Sequence, residues 1–198
     1  MTVFSFATKL HSNKFLVGNE AYDPSTMELI ATVTAAGGET SLSFTSIPGT
    51  YSSLQIRGIA KDTATGTTAA NLYVFFNDDT TTANYAVHAL RGNGSAASAS
   101  GSTSYGAVSI PEACTRSDAG YANMFGAMIV DLHDYASTTR NKTVRSFGAV
   151  DTNNTNGVIS LASGLWLSTS AITKVKIQAS VTAFAAGSVF KLYGLRSS

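Results

Sequence analysis

Turn-forming clusters interrupt this chain every eight to fifteen residues, and between them apolar and polar residues alternate singly. That punctuation leaves little room for helices, and no window carries sustained three-four apolar spacing among helix formers. Strands fit it well. Leu29–Thr34 precedes the turn Ala36-Gly37-Gly38-Glu39. Ser41–Ile47 alternates Leu42 and Phe44 with serines, then closes at Ile47-Pro48-Gly49, where proline cannot donate to a ladder. Ser53–Ala60 puts Leu54 and Ile56 on one face, Gln55 and Arg57 on the other. Asn71–Phe76 is apolar on both faces, as a strand between two layers would be, and ends at Asn77-Asp78-Asp79. Further strands are expected at Asn84–Leu90, Ala107–Ile110, Asn123–His133, Thr143–Val150, Val158–Trp166, Ile172–Ala179 and Val189–Leu195. The pattern predicts an all-β fold, an antiparallel β-sandwich or jelly roll of about ten strands.

Composition agrees and narrows the function classes. The chain holds 25 Thr and 25 Ser but only 4 Glu and 2 Gln, so its polar surface is hydroxyl rather than charge. Lys and Arg number 13 against 12 Asp and Glu, a net charge of +1 with no run of either sign. Phosphate binding needs clustered cations, so no nucleic-acid partner is expected. Nor is membrane insertion expected, since no apolar stretch approaches the length of a spanning helix. The single cysteine, Cys114, excludes an internal disulfide framework and a cysteine-built zinc site. The first 22 residues lack a basic leader, and Lys9, His11 and Lys14 break any apolar run, so the expected route is synthesis in a cytoplasm without export.

Two parts are expected. Residues 1–24 form an N-terminal arm carrying Phe4, Phe6, Leu10, Phe15, Leu16 and Val17, closing on Tyr22-Asp23-Pro24-Ser25. Such an aromatic-rich arm needs a cover, either its own body or a neighbouring subunit, and these six residues are the candidate partner-binding set. Residues 27–198 form one β-sandwich body. Within it Arg91–Gly106 (RGNGSAASASGSTSYG) has almost no apolar anchor and reads as a surface loop, or as a loop that orders against a partner.

Chemistry-bearing clusters are sparse. Asp131-Leu132-His133-Asp134 places Asp131 and His133 on one strand face, which suits a polar strand end better than a base, because no nucleophile accompanies it. Asn77-Asp78-Asp79 lacks calcium-loop spacing and reads as a turn. Cys114 has Arg116 nearby but no histidine close in sequence, and reads as a small packed residue. Trp166, Tyr73, Tyr85, Tyr105, Tyr121 and Tyr135 offer stacking faces for a sugar, though core packing is the simpler reading for Trp166. No catalytic residue, cofactor or metal ligand is expected, and the chain reads as a non-enzyme.

Four stretches together resemble virion proteins of tailed bacteriophages, particularly marine and cyanobacterial ones. They are Phe15–Asn19 (FLVGN); Ser46-Ile47-Pro48 with Tyr51 and Leu54-Gln55-Ile56-Arg57; Phe125-Gly126 leading to Asp134-Tyr135; and Ser163-Gly164-Leu165-Trp166 with Gly187–Leu195. The resemblance implies a virion structural protein, either a tail-fibre or adhesin module or a capsid decoration subunit. It further implies a β-sandwich body, a homotrimer, capsid or tail proteins as partners, and residence in the virion after release by lysis. The chain has no heptads and no repeated shaft, so a compact knob or tip is expected rather than a long fibre. The alternative is a carbohydrate-binding module that recognises host surface glycans through exposed aromatics.

Overall fold

Residues 27–66, 69–117, 121–153 and 157–196 are described by a computed structural model, together with the backbone of 15–17 and 20–22. In the N-terminal region β1 (Phe15–Val17) and β2 (Glu20–Tyr22) pair as a separate antiparallel hairpin. Phe4, Phe6 and Leu10 lie outside the described residues, as do the side chains of Phe15, Leu16 and Val17.

The body runs β3 (Met27–Thr34), β4 (Ser41–Phe44), β5 (Ser53–Asp62), β6 (Ala70–Phe76), β7 (Tyr85–Gly92), β8 (Ala97–Ser102) and β9 (Val108–Arg116). It continues through β10 (Gly126–His133), β11 (Lys142–Val150), β12 (Val158–Trp166), β13 (Val175–Ala179) and β14 (Val189–Leu195). Among the described residues these twelve strands share one hydrogen-bonded network, folded into two layers. One layer begins β3-β14-β5-β10, and the other is β4-β13-β6-β9. Successive framework strands cross between layers, except β6 and β9, which pair within one, and the last strands return beside the first. This is the double Greek key of a jelly roll.

Two hairpins are inserted into that frame. β7–β8 lies between β6 and β9 in sequence, and β11–β12 lies between β10 and β13. Both join the first layer and widen it to β3-β14-β5-β10-β11-β12-β7-β8. Alternation explains which way each strand faces. Met128, Val130 and Leu132 of β10 point inward while Ala127, Ile129 and His133 point out. Ile56, Leu72, Val74, Phe76, Ile110, Leu132, Phe190 and Leu192 form the centre of the core. Burying each such side chain contributes about 1.5–3 kcal/mol.

β9 lies directly on the inner faces of β10, β11 and β12, so close that two positions there admit only glycine. A Cβ at Gly148 would stand 2.8 Å from the Pro111 carbonyl oxygen, and one at Gly126 would stand 2.5 Å from that of Ala113. Ser160 Oγ donates to the same Pro111 oxygen.

Three expectations need correction. The segment Arg91–Gly106 is not a loop throughout. β7 extends to Gly92, and Ala97–Ser102 pairs with it as the edge strand β8. Backbone pairing to one neighbour, rather than burial, defines that strand. Ala107–Ile110 does not stop at Pro111. A bulge puts four β9 steps opposite two of β6, from Leu72↔Ile110 to Ala70↔Cys114, with Glu112 at φ 55°, and the strand then continues. Finally, pairing is not wholly antiparallel, because Lys61 and Asp62 run parallel to Thr115 and Arg116 where β5 overruns its own layer and meets β9.

Candidate functional site

The widened layer leaves its outer face uncovered by any described residue, and cross-strand register sorts that face into rows. One row reads Arg57, Ile129, Phe147, Leu161, Leu90 and Ala99 across β5, β10, β11, β12, β7 and β8. The next reads Ile59, Ala127, Ala149, Ile159, Gly92 and Ala97. Directly opposed residues lie within contact of each other, so the two rows fuse into one apolar band. It crosses five strand spacings, about 24 Å. Leu90 and Leu161 are 56% and 55% exposed, and Ile59, Ile129, Phe147 and Ile159 are open as well. Monomers seldom carry contiguous apolar surface of this extent without a use for it.

The band is contoured rather than flat. Leu90, Phe147, Ile159 and Leu161 frame a hollow of about 290 Å³. Where the strands end, Phe125, Ala127 and Ile159 join Asn93 and Asp151 around a groove of about 750 Å³. The edge at β8 (ASASGS) is uncharged and proline-free, and among the described residues it pairs only with β7. Edges left so bare favour pairing with another chain.

Asp131 and His133 do share the outer face, in a polar strip beside the band. Gln55 Nε2 donates to Asp131 Oδ1 at 2.7 Å, and Arg145 Nη2 is 3.3 Å from Asp131 Oδ2 and 3.4 Å from His133 Nε2. Arg57 Nε donates to Gln55 Oε1 at 2.6 Å, and its guanidinium lies 5.6 Å from the Tyr193 ring centre. Both Asp131 oxygens are thus engaged, which suits a structural strip better than a base. Among the described residues no three His, Cys, Asp or Glu side chains converge as metal ligands would.

The other singled-out residues have structural roles. Cys114 is fully buried, and desolvation, aided by the Asp62 charge, raises its thiol pKa far above the ordinary range despite Arg116. Asn77 and Asp78 occupy left-handed turn positions, with Asn77 Oδ1 accepting the amides of Thr173 and Lys174. Burial pushes the Asp79 carboxyl upward. Hydrogen bonds from Trp166 Nε1, Asn84 and Thr81 outweigh that and hold it at about 2. Trp166, Tyr85 and Tyr135 are core residues, while Tyr105 stays open.

The band was not singled out in the sequence, although a signal for it exists. Val158–Trp166 (VISLASGLW) and Gly126–His133 (GAMIVDLH) carry apolar residues at both parities, the mark of a strand with two covered faces. Among the described residues only one of those faces is covered. No family model matches the chain, and no curated protein or solved structure matches it either.

Proposed function

We propose that this chain is a non-enzymatic structural subunit on the surface of a bacteriophage particle. In this reading it is a compact tail-fibre, tip or knob module, or a capsid decoration subunit, and it assembles as a homotrimer. The apolar band over β5, β10, β11, β12 and β7 is the observation that carries the proposal, because a face of that size calls for covering by neighbouring protein. The bare β8 edge continues the same face and offers backbone pairing beside it. The jelly-roll frame supports the reading too, as viral capsid and lectin domains use it repeatedly, although fold alone does not fix function. Residues 1–24 complete the proposal as the anchor to a capsid or tail partner, with the β-body facing outward. The resemblance noted in the sequence supplies the bacteriophage setting.

Quantitative mass spectrometry of particles purified from a lysate tests this reading. The expected result is this chain in fixed stoichiometry to the major capsid protein. A simple fraction of the capsid copy number indicates decoration, and a handful per particle indicates the tail. Absence from purified particles overturns the reading.

A further inference from the structure

Beneath the inserted β7–β8 hairpin lies a second hollow of about 220 Å³, of mixed polar and apolar lining, on the opposite side of the sheet from the apolar band. Its lining includes Asn71, Arg91, Tyr105, Ser109 and Glu112. Ser109 is only 2% exposed, yet its Oγ has no hydrogen-bond partner among the described residues. The same holds for Glu112 Oε2, which is buried. Buried polar atoms are rarely left unpaired, and two around one hollow is the mark of a site whose partner comes from outside.

The surroundings restrict that partner. Glu112 Oε1 is ion-paired with Arg91 Nη2 at 3.1 Å, so the carboxylate charge is already compensated. The Glu112 backbone sits at a left-handed φ of 55°, and its N–H donates a hydrogen bond to Asn71 Oδ1 at 3.0 Å. The free Oε2 asks for a donor, and Ser109 Oγ serves as donor or acceptor. Tyr105, 38% exposed, borders the hollow and meets Tyr73 edge-on with ring centres 6.1 Å apart. An acceptor, a hydroxyl, a neutralised charge and an aromatic ring together match a neutral polyhydroxylated ring with one apolar C–H face.

We propose that this hollow is a subsite for a neutral hexopyranoside, gripped by Glu112 and Ser109 and stacked on Tyr105. The volume takes one sugar ring, or a few waters in its absence. Saccharide binding here is separate from the particle reading, since either can fail while the other holds.

Amide-resolved NMR titration of the full chain tests it. The probes are the methyl glycosides of glucose, mannose, galactose and N-acetylglucosamine, with sialic acid and choline as charged controls. At least one neutral glycoside is expected to saturate with a dissociation constant on the order of millimolar, as a single small subsite allows. The shifts should cluster at Arg91, Tyr105, Ser109 and Glu112. Ser109→Ala removes an unpaired buried hydroxyl and should leave the fold intact while weakening binding about tenfold, the worth of one hydrogen bond. Tyr105→Ala, at an open position, should weaken it by at least as much. Four silent glycosides, affinity unmoved in both variants, or stronger binding of a charged control would each overturn the assignment and leave the hollow to water.

Discussion

Replacing Lys142 by Met tests whether the inserted hairpin is held by a single buried ammonium. Lys142 has no exposed surface, and its Nζ donates to the carbonyls of Arg140 and Ser137 at 2.7 and 2.8 Å. Two longer contacts reach Thr169 and Ser168 at 3.3 and 3.5 Å. The ammonium therefore ties the β10–β11 connection to the chain leaving β12. Methionine keeps the stem and deletes the donors. A hydrogen bond to a charged group is worth about 1.5–3 kcal/mol, so the two short ones give about 3–6 kcal/mol gross. Desolvation lowers the ammonium's pKa, which offsets part of that, and the freed carbonyls on loops regain water. A net loss of about 2 kcal/mol follows, equivalent to roughly 4–8 °C in Tm for a chain of this size. Urea unfolding followed by tryptophan fluorescence reads it through Trp166, which lies at the end of β12 beside this cage. The midpoint should fall with the slope unchanged. A Met variant within about 0.5 kcal/mol of the parent would refute the reasoning, since that is the range of an ordinary surface change.

Two further outcomes follow from the same structure. Asp79 has a folded pKa of about 2, below its unfolded value, so its contribution is present above about pH 4 and lost as pH falls toward 2. Because the group is partly solvated, that contribution is about 1 kcal/mol, and the urea-midpoint gap between the parent and Asp79→Ala should close over that interval. Leu161→Asp places a charge at the centre of the apolar band. It should leave monomer stability within about 0.5 kcal/mol, because the position is open in the single chain, yet weaken self-association at least about a hundredfold by sedimentation velocity.

Local alternation carried most of the fold. Val175 and Ile177 face inward between Lys174, Lys176 and Gln178, as their spacing requires, and β11, β12 and β14 fall where their apolar residues do. What the sequence hid has physical causes. β8 carries no apolar alternation because it lies outside the core, and it admits Gly101 because the His88 ring covers that position, where a Cβ would be 2.4 Å away. Pro111 looked like a strand end because it lacks an amide, but the bulge at Glu112 absorbs that loss and lets β9 resume. The hollow under the β7–β8 hairpin is illegible for a related reason. Ser109 and Glu112 are ordinary residues in an apolar stretch, and only the bulge and the overlying hairpin bring their unpaired atoms together.

The proposed assembly role rests on the outer face being covered by copies of the chain. Sedimentation equilibrium of the 198-residue chain at about 10 μM, a range where a specific interface of ordinary strength is populated, tests this most directly. The account predicts a mass of three 20.5 kDa chains, falling to one in the Leu161→Asp variant. A parent protein that sediments as a single chain across that range and well above it would contradict the account.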